Sequence, residues 1–233
     1  MSVVILCYRA GEAAREFVSH AITILEREHI DRYELILVGN YHDGSDDKTP
    51  AVVADIASRN PHIRFVAKPK QGMMGWDMKS GLALAQGNYI TVIDGDGQMP
   101  FEDVILVYRK IKSEPFDLVK TYRIKRGDNM WRTVLSGFYN FFFRILFPGV
   151  PARDINSKPK IFTREAHEKF QLTSDDWFID AEIMIQARRN RLRIGEVPTV
   201  FLGLTGRRSF IRPGTIFEFI KNFILFRIKE FWK

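Results

Sequence analysis

The chain has 233 residues, 45% of them hydrophobic, and a formal net charge of +7, which supplies one large core and excludes a disordered polymer. The basic balance points to an anionic partner without separating nucleotide, nucleic acid, lipid phosphate and acidic membrane surface. The single cysteine, Cys7, excludes an internal disulfide and lies in an apolar run that reads as a buried strand, so a reducing compartment is expected.

No charged and apolar leader with a small-residue cleavage site opens the sequence, and no uninterrupted apolar stretch reaches the ~20 residues that span a bilayer. A cytoplasmic protein is therefore expected; whether it lies peripherally at the inner face of the membrane is a separate question. Short apolar runs at Val3 to Leu6, Glu34 to Val38, Ile63 to Val66 and Tyr89 to Ile93 alternate with segments of helical spacing, Ala13 to Glu28 and Thr49 to Ser58 among them. That alternation predicts an α/β fold with a mostly parallel sheet, whose ligands gather at the carboxyl ends of the strands. A helix (Phe101 to Ser113), a strand (Asp117 to Tyr122) and an aromatic, basic helix from about Asn129 to Phe147 follow. Residues 1–210 are expected to form the main domain and 211–233 an amphipathic C-terminal helix.

The strand ends carry the polar residues. The segment Asp94-Gly95-Asp96-Gly97-Gln98 directly follows the strand Tyr89 to Ile93. Alternate residues there point the same way, so Asp94, Asp96 and Gln98 can converge on one hard cation, Mg²⁺ or Mn²⁺, with a diphosphate completing its coordination. Asp-Gly pairs also serve ordinary turns; the placement at a strand end and the company of other strand-end polar segments favour the metal site. An EF-hand is excluded, because its further loop ligands and closing Glu are missing.

Val3-Val4-Ile5 leading to Tyr8 and Glu12, the segment Asp43 to Thr49, Gly81 to Gly87, and Asp94 to Gln98 together resemble family 2 glycosyltransferases with a Rossmann-like GT-A fold. Within that family the likeness is to dolichol-phosphate mannose synthases and other polyprenyl-phosphate glycosyltransferases, over nearly the whole chain. The resemblance implies a metal at Asp94, Asp96 and Gln98, and a nucleoside pocket lined by Tyr8, Glu12 and Asp43; Lys68 and Lys70 are candidates to flank the donor, with a solvated position the equal alternative. The family's Pro-x-Tyr-Asn-Glu start is here Leu6 to Glu12, and its paired Asp-Asp is His42-Asp43.

Arg123 and Arg132 stand where relatives contact donor or acceptor phosphate, a task suited to guanidinium forks. Arg153 to Lys160 resembles the family's Asp-x-x-Ser-Gly-Phe-Arg loop: Asp154 and Ser157 carry over, Lys160 takes the arginine position, and Lys158 and Pro159 stand for Gly and Phe. A capped turn before a strand at Ile161-Phe162 is the alternative there. Near the C-terminus Arg207 or Arg208 corresponds to a diphosphate-binding arginine.

The segment Ser174 to Glu182 predicts a helix start capped by Ser174 or Asp175, and holds more acids than capping needs. Relatives place a carboxylate here against the acceptor, which makes Asp176, Asp180 and Glu182 the catalytic candidates. A hydroxyl acceptor would need a general base; a lipid phosphate, already ionised, would not. Inversion at the anomeric carbon is implied.

On the helix from Trp131 to Phe147, Arg132, Ser136, Asn140 and Arg144 line one face and Val134, Leu135, Phe138, Phe141, Phe142 and Ile145 the other. A core position is the ordinary reading of that apolar stripe. For the segment Ile216 to Trp232, with interleaved Lys221, Arg227 and Lys229, membrane-surface binding competes with it.

The expected reaction is thus transfer of a sugar from a GDP- or UDP-linked donor to a polyprenyl phosphate at a membrane surface. Transfer to a saccharide or other hydroxyl is the alternative, and a non-catalytic nucleotide- or nucleic-acid-binding protein a further one. No helix-turn-helix, zinc or RNA-recognition motif is present, so no nucleic acid partner is expected.

Overall fold

Ser2–Leu6 form β1, and all five residues are buried, as a parallel strand covered on both faces requires. The computed structural model describes residues 1–126, 130–202 and 213–231, the side chains at 125–132, 213–218 and 229–231 excepted. The chain continues through α1 (Ala13–Arg27), β2 (Glu34–Val38), α2 (Thr49–Ser58), β3 (Ile63–Val66), α3 (Met74–Leu82), β4 (Tyr89–Asp94) and α4 (Glu102–Ser113). Then come β5 (Leu118–Arg126), α5 (Met130–Leu146), β6 (Lys160–Thr163), α6 (Arg164–Glu168), α7 (Ile179–Arg189), β7 (Ile194–Phe201) and α8 (Pro213–Phe231).

The strands form one sheet in the order β3-β2-β1-β4-β6-β5-β7. β1 pairs in parallel with β2 and β4, β2 with β3, and β5 with β7; β6 runs against both β4 and β5. The mostly parallel α/β sheet that the alternation predicts is present. Successive side chains of β1 serve opposite layers: Val3 and Ile5 pack with Ala14, Val18 and Val53, while Val4 and Leu6 pack with Met78, Leu82 and Phe178. From β1 the chain builds outward to β2 and β3 on one side and crosses to β4 on the other, so β1 and β4 flank the switch point where such sheets open a crevice.

Three parts of the fold depart from the sequence expectations. The helix expected from Ser174 begins at Ile179. The carbonyl of Asp175 accepts the N–H groups of Met73 and Trp76, and that of Asp176 accepts Gly75 N–H, which ties this backbone to the start of α3. Gly75 permits the approach: a Cβ there would lie 2.4 Å from the Ser174 oxygen. β7, not foreseen, holds the edge of the sheet, where Pro198 breaks no ladder that the edge needs.

The third departure concerns α5. Its polar face meets the loop before β6: Asn140 Oδ1 accepts Ile155 N–H at 2.9 Å and the exposed Arg144 donates to the Arg153 carbonyl at 3.0 Å. Val134, Phe138, Phe141, Phe142 and Ile145, the stripe expected in the core, are between 43% and 59% exposed. Phe143 and Phe147 supply the buried contacts instead, and Phe223 of α8 is buried with them and with Phe178. No helix among the described residues is long and apolar enough to cross a membrane.

Candidate active site

The carboxyl ends of β1 and β4 meet at the switch point, with Leu6 opposite Asp94. Gly95 N–H donates to the Leu6 carbonyl at 2.9 Å, and a Cβ at Gly95 would lie 2.9 Å from Ile5 Cγ2. Only glycine lets the turn fold this tightly over β1. Asp96 Oδ1 accepts Gln98 N–H at 3.0 Å, and the Gln98 carbonyl accepts Leu202 N–H at 2.9 Å, which joins the turn to the end of β7. Asp94 thus closes β4, with its side chain 35% exposed, and Asp96 and Gln98 lie on the short turn that follows.

Behind the turn lies a buried ionic cluster. Lys158 Nζ is 3.2 Å from Asp94 Oδ2 and 3.0 Å from Asp180 Oδ2, and Lys160 Nζ is 2.5 Å from Asp180 Oδ1. Lys160 also donates to the Ser157 carbonyl at 2.9 Å. Burial opposes the Asp180 carboxylate, but Lys158 and Lys160 outweigh it and hold its pKa below the usual range. Burial also opposes the Lys158 ammonium, which Asp180 and Asp94 stabilise enough to raise its pKa. Lys160 shares Asp180 with Lys158 and feels Lys120 as well, so burial brings its pKa down to about 7.

On the nucleoside side, Lys70 pairs with Asp77 and its Nζ stands 4.3 Å from the centre of the Tyr8 ring. Asn40 Nδ2 donates to Asp77 Oδ1 at 2.9 Å, and Asn40 Oδ1 accepts Lys68 N–H at 3.0 Å. Tyr8 and Lys70 are thus brought together. Asp43 is exposed, and Glu12 is 73% exposed and paired with Arg15 at 3.2 Å. A neighbouring link joins the same loops: Asp47 accepts the hydroxyl of Thr49 at 2.6 Å, and Thr49 Oγ1 accepts Gly11 N–H at 2.9 Å.

Arg123 grips Asp154 with both prongs, at 2.5 and 2.8 Å. Burial opposes this carboxylate too, but Arg123, with Lys120 and Lys160, holds it well below its ordinary range. Residues expected to serve donor and acceptor separately therefore engage one another. Ser157 is buried and its hydroxyl shares a 2.7 Å hydrogen bond with Thr121. Lys120, buried beneath them, donates to the Thr121 carbonyl at 2.6 Å.

Each acid expected at the acceptor has partners within the protein. Asp176 Oδ1 accepts Phe178 N–H at 2.8 Å, and its Oδ2 accepts the Asn222 amide. Asp180 is held by the two lysines. Glu182 is buried and accepts Thr173 N–H at 2.9 Å, Ser174 N–H at 2.8 Å and the Thr173 hydroxyl at 2.9 Å, so it fixes the segment before α7. The side chain of Arg132, and Arg207 and Arg208 altogether, lie outside the described residues. The sequence reading did not single out Asp77, Asn40, Lys120 or Asn222; a polar residue amid apolar helix neighbours, as at Asp77, was the available signal.

The donor set at the turn suits a hard divalent cation: two carboxylates and an amide oxygen on partly exposed residues. No group of three or more His, Cys, Asp or Glu side chains placed to hold a metal ion occurs among the described residues.

A doubly wound sheet with a two-carboxylate turn at its switch point places the protein among α/β nucleotide-binding enzymes. Residues 2–178 match the model of the family described as glycosyl transferase family 2, and the chain belongs to that family. It is a glycosyltransferase. It is 26% identical over 210 residues to a dolichyl-phosphate beta-glucosyltransferase of Trichomonas vaginalis, covering 84% of this chain and 61% of the relative. It is 24% identical to the dolichyl-phosphate beta-glucosyltransferase of Saccharomyces cerevisiae, covering 98% of this chain and 74% of the relative. The chain thus spans between 61% and 74% of these relatives' own length. Among solved structures, glucosyl-3-phosphoglycerate synthase from Mycobacterium tuberculosis, in complex with Mn²⁺, uridine diphosphate and glucosyl-3-phosphoglycerate, superposes with a TM-score of 0.72. That match has 21% identity and covers 97% of this chain and 78% of the other, which establishes the GT-A fold.

Proposed function

We propose that the enzyme transfers glucose from a nucleoside-diphosphate sugar to dolichyl phosphate, or a similar polyprenyl phosphate, with inversion at the anomeric carbon and with Mg²⁺ or Mn²⁺ at Asp94, Asp96 and Gln98. One observation carries the choice of acceptor: Asp176, Asp180 and Glu182 all hold partners inside the protein. A hydroxyl acceptor needs a carboxylate ready to take its proton, whereas a phosphate monoester arrives ionised and needs only to be placed. The names of the relatives agree with this choice of acceptor and sugar. The divalent cation would supply charge relief for the departing nucleoside diphosphate. Tyr8, with Lys70 behind its ring and Glu12 and Asp43 at the rim, would receive the nucleoside. Arg123 and Arg132 would orient phosphate, with Arg207 a further contact to the diphosphate and Asp154, Ser157 and Lys160 fixing the loop beside the acceptor.

The outward apolar face of α5 supports residence on a membrane surface. Phe138, Phe141 and Phe142 of α5 are exposed, as are Ile220, Ile224, Ile228 and Lys221 of α8. Aromatic and aliphatic side chains bordered by cations suit insertion among anionic headgroups. Residues 1–210 would then carry the catalysis and 211–233 help to seat it on the cytoplasmic side of the membrane.

The test is turnover of UDP-glucose, GDP-glucose and other nucleotide sugars with a short polyprenyl phosphate and Mn²⁺, followed by nucleoside diphosphate release and isolation of the glycosylated lipid. Formation of glucosyl lipid phosphate is the expected result. Release that proceeds equally well with a saccharide and without the lipid overturns the assignment of acceptor.

A further inference from the structure

Lys158 occupies the position where the family pattern has glycine, and its side chain, 3% exposed, reaches the metal turn. The sheet itself puts it there. β4 pairs antiparallel with β6 in a register that sets Val92 opposite Lys160; carried two residues further, that register sets Asp94 opposite Lys158. The ammonium then contacts Asp94 at 3.2 Å, Asp180 at 3.0 Å and the Met74 sulfur at 3.2 Å.

Two buried lysines share one buried carboxylate in this cluster. Lys160 holds one oxygen of Asp180 and Lys158 the other, so Asp180 is not the counter-ion of Lys158 alone. Asp94 is the second counter-ion. A carboxylate already engaged with a fixed cation at 3.2 Å attracts a metal ion less than a free one, and the ammonium itself repels a divalent charge at the turn.

We propose that Lys158 is a positioning residue that makes Asp94 a shared counter-ion, so that the turn holds a divalent cation weakly by itself and tightly only together with a nucleotide diphosphate. The added negative charge of the diphosphate offsets the ammonium, and cation and nucleotide become thermodynamically coupled. The nucleotide half of this inference rests on the donor site proposed above.

The experiment measures Mn²⁺ affinity by electron paramagnetic resonance and calorimetry on the full chain, without nucleotide and with saturating UDP, for the wild type, Lys158→Met and Lys158→Arg. Without nucleotide, Lys158→Met is expected to bind Mn²⁺ roughly tenfold more tightly than the wild type, an order-of-magnitude figure for removing one nearby charge. UDP should tighten Mn²⁺ in the wild type and do so less in Lys158→Met, and Lys158→Arg should resemble the wild type. Equal nucleotide-free affinities in wild type and Lys158→Met overturn the proposal. If Lys158→Met does not fold, the same comparison is made between Asp180→Asn and Asp180→Asn/Lys158→Met, where no buried carboxylate is left without a partner. Failure of UDP to bind the wild type at saturating Mn²⁺ sinks the donor-site reading instead, and the nucleotide-free comparison still decides the part played by Lys158.

Discussion

Asn222, on the C-terminal helix, donates its side-chain amide to Asp176, the second of the two acids before α7. The adjacent Phe223 is buried against Phe143, Phe147 and Phe178. Two neighbouring residues thus lock α8 to the segment that precedes α7, one by a hydrogen bond and one by apolar burial.

These two contacts differ in energy. Truncating a buried phenylalanine costs about 3–5 kcal/mol through lost burial and a residual cavity. Phe223→Ala should lower the denaturant midpoint strongly, while Asn222→Ala should cost about 1.5–3 kcal/mol, the scale of a single hydrogen bond to a charged group. Urea unfolding of both variants checks this; a Phe223→Ala loss no larger than that of Asn222→Ala would contradict the packing described.

The Arg123–Asp154 pair sets a pH dependence. The folded carboxyl titrates well below its ordinary value of 3.8, so the unfolded chain takes up this proton first as pH falls. The stabilisation is fully present above the ordinary carboxylate range and is lost progressively as pH falls below it. Asp154→Asn should therefore destabilise by about 3–5 kcal/mol at neutral pH, with a gap to the wild type that narrows below about pH 4. Unfolding curves between pH 7 and pH 3 measure the gap; a gap constant with pH would place the effect elsewhere.

Asp96→Ala removes one of the two carboxylates of the turn. Expected outcomes are a fall in turnover of about a hundredfold or more and a loss of Mn²⁺ binding measured with saturating UDP, while thermal stability stays within about 1 kcal/mol of the wild type. Unchanged Mn²⁺ affinity would remove Asp96 from the cation site.

The exposed aromatics of α5 allow a test of membrane seating that leaves the core alone. Phe138 and Phe142 are 59% and 50% exposed, so Phe138→Asp/Phe142→Asp should keep its melting temperature. Co-sedimentation with vesicles containing anionic lipid should fall at least tenfold, because two inserted aromatic side chains are replaced by charges that the headgroups repel. Binding equal to the wild type would assign the apolar face to another partner.

Much of the fold was legible because its signals are local. The four apolar runs became β1 to β4, and the carboxylate turn fell at the end of a strand. The stripe on α5 was equally clear, but its direction was not: amphipathicity gives a helix two faces and does not say which one meets the core. Asn140 and Arg144 found carbonyl and N–H partners in the loop before β6, and the apolar face was left outside.

By itself, the sequence determined the α/β alternation, the strand-end position of Asp94 and Asp96, and the excess of basic residues, since each depends on composition or on neighbours a few residues apart. Tertiary structure alone decided that Lys158 would share Asp94, 64 residues away, and that Asn222 would hold Asp176, 46 residues away. The antiparallel register of β4 with β6 and the burial of Phe223 bring those groups together. A charge placed by strand pairing or by the docking of a helix leaves no periodic trace in the chain that carries it.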